Sequence, residues 1–391
     1  MKHHDYINKY FEDTKEILTG FDREKIDQVI EALFHAWRRD LWVYTMGNGG
    51  SASTANHFAC DLGKTINDKM NARAIKAMCL GDNFPIVTAT INDRGWDTLY
   101  DQLLHTYYTP GGIGVAFSVH GGSGKDKSGL WSQNILRGLQ FIKDRGGTTI
   151  GFSGFDGGAM KDLCDISVVV PAFITPLVES FHLKLHHLIV FRLKEKIENY
   201  APKNKAVFLD QDGVLVDLVD YGEEKRVAPR SLNDFHIARG AREMVDRIKK
   251  MGYLTVVVTN QPDIAMGKKS QATLNEMHRR IKDETGVDDI MVCPHPIDGG
   301  CRCHKPNPGM LLDAADKYDI DLPRSFMVGD WWRDIDAGKS AGCKTILLAM
   351  PSNDHIIHYD YLARNLEHAA KIIEAHKNDT HRIVTHTHER K

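Results

Sequence analysis

No stretch of 18 uncharged apolar residues occurs in the 391-residue sequence, so no transmembrane helix is expected. Charge of one sign is not in excess either: Lys+Arg 50 against Asp+Glu 52 leave a formal net charge of -2. That balance excludes the electrostatic footprint of a nucleic-acid or anionic-membrane binder. Cysteine is scarce, with seven in all and three of them inside residues 293–303. An odd, clustered set reads as a reduced cytoplasmic protein with a metal site, not as a disulfide framework. The N-terminal "MKHHDYINKYFEDTKEIL" lacks an apolar centre, so no signal peptide is expected. Short-period repeats and low-complexity tracts are missing too. The remainder is ordinary for a globular protein, 42% hydrophobic and 26% charged, and its length argues for two domains.

Residues 4–19 and 23–39 carry helical spacing (Ile7, Tyr10, Phe11; Ile26, Val29, Ile30, Leu33) and predict an N-terminal helical hairpin broken at Gly20. Short apolar strands at 41–47, 72–80, 112–119, 148–154 and 166–172 then alternate with helical patterns, the last from Leu177 to about Glu198. "NYAPKNK" (199–205) has no periodicity and reads as a linker. The alternation restarts with strands at 206–210, 254–260, 289–294, 325–330 and 344–350, and a helix ends near His376. The fold class is therefore α/β, with two doubly wound parallel-sheet domains over 1–198 and 206–376. The tail 377–391 is polar, and its histidines read as a solvated end.

In such sheets ligands bind beyond the carboxyl ends of the strands. In the second half those ends carry Asp210 and Asp212, then Thr259, Lys305 on a loop, and Asp330. Two aspartates two residues apart divide the labour of phosphoryl transfer. Asp210 attacks phosphorus to give an aspartyl-phosphate, while Asp212 protonates the leaving oxygen and later activates water. Asp330 joins Asp210 and the backbone carbonyl of Asp212 around Mg²⁺, and Thr259 and Lys305 contact the phosphoryl oxygens. Downstream, Cys293, His295, Cys301 and Cys303 form C-x-H-x5-C-x-C, four ligands suited to a closed structural zinc site on the loop that carries Lys305.

This order of motifs resembles the haloacid dehalogenase (HAD) superfamily, with a Rossmann-like fold. With "VVVTNQPDIAMGK" and "HKPNPGMLLDAA", about residues 205–350 resemble the heptose bisphosphate phosphatases within it. The resemblance implies that Asn260, Gln261 and His304 join the substrate site. His304 stands where the family usually has Arg, and Trp331 where Lys is common. Histidinol-phosphate phosphatases share the zinc loop and are the competing reading.

In the first half, "MGNGGSAS" follows the first strand and opens a helix, an arrangement that receives anions. His57 and Asp61, four apart, share a face of that helix, and the last helix offers Glu179, His182, His186 and His187. Two His and two acids facing one cleft would bind zinc or move protons in an enediol reaction. Residues 1–198 resemble sugar isomerase (SIS) domains with a flavodoxin-like sandwich, and specifically the phosphoheptose isomerases. The carrying residues are Asn48, Gly49, Gly50 and Ser51, His57 with its acid, Asn92-Asp93, the loop from Ser118, and the last helix. The resemblance implies that His57, Asp61, Glu179 and His187 hold zinc, with Asp61 and His187 as base and acid. It favours His187 over His186, which spacing does not separate.

Three departures stand out. Asp61 replaces a Glu, Glu179 replaces a Gln, and the phosphate loop reads "SVHGGSGKDKSGLWSQN" with His120 in place of a Ser. Either Ser123 or Ser132 then serves as its last phosphate-binding Ser, and Lys125 and Lys127 read as solvent-facing. Taken together, the two resemblances imply a bifunctional heptose-phosphate enzyme acting on small sugar phosphates. It would assemble as a homo-oligomer, a tetramer favoured, through the SIS half. The alternative is a phosphatase of another substrate joined to a non-catalytic phosphosugar-binding module.

Overall fold

The computed structural model describes residues 3–67, 73–122, 131–297, 299–349 and 358–377. The chain forms two compact units, Met1–Tyr200 and Ala201–Lys391. The calls on Ser123, Lys125, Lys127 and residues 378–391 lie outside the described residues.

The first unit opens with α1 (His3–Thr19) and α2 (Arg23–Arg38). Asp22 caps α2 by accepting from the N–H groups of Glu24 and Lys25, which ends the turn begun at Gly20. There follow β1 (Trp42–Gly47), α3 (Gly50–Lys64), β2 (Lys76–Cys79), α4 (Phe84–Arg94), α5 (Leu99–Tyr107), β3 (Ile113–Phe117), α6 (Gln133–Lys143), β4 (Thr148–Ser153), α7 (Met160–Leu163), β5 (Ile166–Val169) and α8 (Thr175–Glu198). The strands pair in parallel in the order β2-β1-β3-β4-β5. This is a doubly wound order whose switch point lies between β1 and β3. Alternation along a strand sends neighbours to opposite faces. Val43 and Phe117 pack with Leu33, Phe58 and Phe181 in one core, while Tyr44 and Met46 pack with Leu103, Leu139 and Ile142 in the other. Fully burying one such side chain stabilises by about 1.5–3 kcal/mol, so both faces hold the sheet.

The second unit contains β6 (Ala206–Leu209), β7 (Val219–Tyr221), β8 (Glu224–Val227), α9 (Ala241–Lys250), β9 (Leu254–Asn260), α10 (Pro262–Ala265), α11 (Gln271–Thr285), β10 (Asp289–Cys293), α12 (Gly309–Tyr318), β11 (Phe326–Gly329), α13 (Trp332–Ala341), β12 (Lys344–Leu348), β13 (Tyr361–Ala363) and α14 (Leu366–His376). Six strands pair in parallel as β10-β9-β6-β11-β12-β13, so both sheets meet the α/β expectation. Val207, Leu209, Val257 and Val328 face one core, and Phe208, Val256, Val258 and Met327 face the other. The antiparallel pair β7–β8 stands apart from this sheet. Its sequence, "VDYGEEKRV", is short and charged, and for that reason gave no strand signal.

Candidate active sites

In the second unit β6 delivers Asp210 at its carboxyl end, and β9, β11 and the Lys305 loop converge on it. The Lys305 ammonium is buried and donates to Asp210 Oδ1 at 2.7 Å, Asp334 Oδ1 at 2.6 Å and the Val258 carbonyl at 2.7 Å. Three donors meet three acceptors, so the cation is held in one position. Asp210, Asp330 and Asp334 each place an oxygen within 4.8 Å of the others. Burial pushes the Asp330 carboxyl up to about 7, with Asp334 adding to the rise and Lys305 opposing it. Burial raises Asp210 in the same way, again with Asp334 adding and Lys305 opposing. One ammonium against this many carboxylates leaves excess negative charge, and the donors are hard oxygens. The set therefore fits a Mg²⁺ ion. Asp334 was not among the residues singled out from sequence, although it ends the run "GDWWRD".

The Asp212 carboxylate is turned away from that cluster. Gln211 Nε2 donates to its Oδ1 at 3.1 Å, and Gln261 Nε2 donates to its Oδ2 at 2.8 Å. The same Gln261 nitrogen donates to Thr259 Oγ1 at 2.9 Å. Asn260 clamps the Lys305 loop by accepting from Lys305 N–H at 2.9 Å and donating to the Lys305 carbonyl at 3.0 Å. His304 is buried, its Nδ1 lies 3.3 Å from Asn260 Nδ2, and its Nε2 has no hydrogen-bond partner among the described residues. Gly213 has φ +93, and a Cβ there would lie 2.2 Å from Asp330 Oδ2, so only glycine lets these two strand ends approach. A cleft of about 720 Å³ opens over the group, lined also by Arg226, Arg230 and Arg333.

The zinc expectation has a geometric test. Four ligands at tetrahedral zinc distances stand about 3.5–3.8 Å from one another. Here Cys293 Sγ lies 3.6 Å from Cys301 Sγ and 3.5 Å from His295 Nδ1, while Cys303 Sγ lies 3.4 Å from Cys301 Sγ and 3.2 Å from His295 Nδ1. Two spacings fall in that range and the two to Cys303 run 0.1–0.3 Å short of it, and with soft donors the set fits zinc. Behind them Arg302 makes a two-pronged pair with Asp313 of α12, and Asn307 donates to the Cys301 carbonyl at 2.9 Å, which ties the loop to the helix that follows.

In the first unit α3 and α8 lie side by side and bring four of the expected groups together. Asp61 Oδ2 lies 2.8 Å from His186 Nε2, 3.5 Å from His57 Nε2 and 3.8 Å from His187 Nε2. Thr65 donates to Asp61 Oδ1 at 2.8 Å. Burial raises the Asp61 carboxyl, but hydrogen bonds from His186 and Thr65 together with His57 outweigh it and hold the group below its usual range. Burial brings His186 down to about 4, against the pull of Asp61. A carboxylate beside a neutral imidazole is the state that binds a metal, and the four donor atoms lie within 4.8 Å of one another.

Of the expected His57, Asp61, Glu179 and His187, the structure gathers His57, Asp61 and His187, together with His186. His186 takes the buried place, and Glu179 lies about two turns earlier on α8. A Cβ at Gly50 would stand 2.5 Å from Glu179 Oε1, so Glu179 belongs with the Gly-rich turn. His182 is a core residue, fully buried against Phe117 and Phe152, with Nε2 3.2 Å from the Ser153 carbonyl.

At the strand ends Ser51 and Ser118 are buried, and Ser118 Oγ lies 3.4 Å from Ser132 Oγ. Asn48 and Asn134 exchange amide hydrogen bonds at 2.9 and 3.0 Å, a pairing that sequence reasoning missed because the two are 86 residues apart. His120 sits between Trp131 and Phe155, with ring centroids 5.0 and 4.2 Å away. Asn92 and Asp93 are exposed on α4 and bond each other. The rise along α3 separates Ser51 from His57 by about 9 Å, so the turn and the histidine cluster are distinct groups within one chain.

Comparison with known proteins gives these constellations a family. A model of the SIS domain matches residues 9–123, and one described as HAD-hydrolase-like matches residues 302–365. Lincomycin biosynthesis protein LmbN of Streptomyces lincolnensis is 38% identical over 163 residues, 41% of this chain and 58% of that relative, so the chain spans little more than half of its length. The D-glycero-beta-D-manno-heptose-1,7-bisphosphate 7-phosphatase of Bordetella bronchiseptica is 37% identical over 144 residues, 36% of this chain and 77% of the relative. The phosphoheptose isomerase of Pelobacter propionicus is 32% identical over 157 residues, 40% of this chain and 77% of the relative. The chain therefore belongs to two enzyme families at once, the phosphoheptose isomerases through its SIS half and the D-glycero-D-manno-heptose-1,7-bisphosphate 7-phosphatases through its HAD-like half.

Proposed function

We propose that the first unit converts sedoheptulose 7-phosphate to D-glycero-D-manno-heptose 7-phosphate, and that the second removes the 7-phosphate of D-glycero-D-manno-heptose 1,7-bisphosphate. The observation that carries this reading is the presence, in one chain, of both the Asp61–histidine cluster and the Asp210–Lys305–Asp334 cluster. The isomerase product bears one phosphate and the phosphatase substrate two. A separate phosphoryl transfer to the anomeric oxygen must intervene, so the fusion brackets a step carried out elsewhere.

In the phosphatase Asp210 attacks phosphorus as the ester P–O bond breaks, and Asp212 gives a proton to the departing sugar oxygen. Asp212 then takes a proton from water, whose oxygen attacks the aspartyl-phosphate and releases Asp210 and inorganic phosphate. Lys305 and the Thr259 hydroxyl face the phosphoryl oxygens. Mg²⁺ held by Asp210, Asp330 and the Asp212 carbonyl would supply the countercharge. In the isomerase Asp61 removes the C1 proton of the ketose and returns it at C2, while His187 moves the hydroxyl protons. Zinc held by His57, Asp61, His186 and His187 would polarise the carbonyl. The Ser118–Ser132 pair and the turn at Gly49–Ser51 would take the sugar phosphate.

Phosphate release across heptose 1,7-bisphosphate, heptose 7-phosphate and histidinol phosphate, with Asp210→Asn as the blank, tests the phosphatase half. Aldose formation from sedoheptulose 7-phosphate, lost in Asp61→Ala, tests the isomerase half. The position of Glu179 beside Gly50, away from the histidines, favours a second reading in which the SIS half only binds phosphosugar; saturable binding without turnover would select it. Exposed Tyr6 and Phe11 on α1 and Leu188 and Phe191 on α8 give the first unit an apolar surface. We assign that surface to homo-oligomer contacts, a tetramer favoured, checked by light scattering. Among the described residues no helix is long and apolar enough to cross a membrane. A reducing cytoplasm would keep the thiols of Cys293, Cys301 and Cys303 available to zinc.

A further inference from the structure

Lys269, between α10 and α11, is only 4% exposed, and none of the chemistry above uses it. Its ammonium donates to Gln261 Oε1 at 2.7 Å. That contact fixes which end of the Gln261 amide faces the site. With Oε1 taken by Lys269, the two Nε2 hydrogens go to Asp212 Oδ2 at 2.8 Å and Thr259 Oγ1 at 2.9 Å. Gln261 is 1% exposed and every hydrogen-bonding group of its side chain is used, so the amide has one stable orientation. A flipped amide would set its carbonyl oxygen against the Asp212 carboxylate and face its N–H groups with an ammonium. A matching arm holds the other oxygen: His278 Nε2 lies 3.1 Å from Gln211 Oε1, and Gln211 Nε2 donates to Asp212 Oδ1 at 3.1 Å.

We propose that Lys269 is a positioning residue of the phosphatase, acting through Gln261 to aim the Asp212 carboxyl at the leaving-group oxygen. The inference rests on Asp212 being the general acid. The charged groups that act on Lys269 are Asp212, Asp263 and Arg230, and Arg230 is itself paired with Glu224 and Asp263. Lys269 thus sits in a local balance of charge, and its short contact is to a neutral amide. A lysine spent on a buried amide is costly for folding alone, because an apolar residue there would avoid burying the ammonium.

The geometry predicts a dependence on the leaving group. A sugar or alkyl alkoxide needs the proton from Asp212, whereas p-nitrophenolate departs without it. Lys269→Met, which keeps length and removes the donor, should lower kcat/KM on an alkyl phosphomonoester, which reports phosphoryl transfer and not the later hydrolysis of the aspartyl-phosphate, about ten- to a hundredfold. On p-nitrophenyl phosphate the loss should stay below about threefold. Lys269→Leu, a second variant without the donor, should show the same split. Both measurements use the full chain with Mg²⁺, alongside wild type and Asp210→Asn. Equal losses on both esters, or no loss on either, in a Lys269→Met protein with an unchanged melting temperature would overturn the proposal. If Lys269→Met does not fold, the Lys269→Leu ratio decides in the same way. A wild-type chain that hydrolyses neither ester refutes the phosphatase reading itself and the inference with it. A wild type active on generic esters but not on heptose bisphosphate removes only the substrate assignment.

Discussion

Replacing Lys305 by Met keeps the length of the side chain and deletes the ammonium in contact with Asp210 and Asp334. Both contacts are buried, and removing one partner of a buried pair costs about 3–5 kcal/mol because the other charge is left uncompensated. Protonation of the carboxyls limits that cost, which makes it depend on pH. Asp330, raised from 3.8 to about 7 by burial and by Asp334, already takes up a proton on folding. A group whose folded value is raised contributes stability that is fully present below its unfolded value and is lost as pH rises through its folded value. For Asp330 that window runs from about pH 4 to pH 7, and at ~1.4 kcal/mol per unit it amounts to roughly 4 kcal/mol. Without Lys305 the Asp210 and Asp330 carboxyls rise further. The penalty of Lys305→Met should therefore be small at pH 5 and approach its full value at pH 8, and millimolar Mg²⁺ should recover part of it. Hydrogen exchange of peptides over β6 and β11, in the presence of a chelator, reads this unit separately from the first. A penalty equal at pH 5 and pH 8, or below about 1 kcal/mol at pH 8, would refute the reasoning.

Asp210→Asn should abolish phosphate release while leaving aldose formation from sedoheptulose 7-phosphate unchanged, since the two constellations sit in separate units. Cys303→Ser should cost the chain one equivalent of zinc by metal analysis. It should also lower protection of the 293–305 loop and reduce phosphatase kcat about ten- to a hundredfold, the usual scale when support around a site is removed. His186→Ala should lose isomerase-bound metal and turnover at least as severely as His187→Ala, because His186 makes the 2.8 Å contact with Asp61 and His187 stands 3.8 Å away. Retention of metal in His186→Ala with loss in His187→Ala would restore the ligand set expected from sequence.

Much of the fold was legible because each central strand is an apolar run buried on both faces, as "IGVAF" and "TVVVT" show, and such runs announce parallel sheets directly. The β7–β8 hairpin was not legible. It is exposed and charged, and its pairing with itself leaves no hydrophobic period. In the phosphatase cluster, Asp210, Lys305 and Asp330 could be read off because the chemistry demands those residue types at strand ends. Asp334 and His278 could not, since their contacts with Lys305 and Gln211 join segments distant in sequence, and Lys269 and Gln211 could not, since the direction of the side chain and not its spacing carries the contact.

The sequence by itself determined the order of the two α/β halves, the carboxylate pair, the zinc-ligand spacing and the Gly-rich turn, because local pattern and residue chemistry specify them. Tertiary structure alone brought His186 as well as His187 to Asp61, since spacing does not say which neighbour each of two adjacent helical residues meets. It also moved Glu179 to the Gly50 turn, turned the Asp212 carboxylate toward Gln261, and placed a buried lysine behind that glutamine. Those are facts of packing between distant segments, which no local pattern encodes.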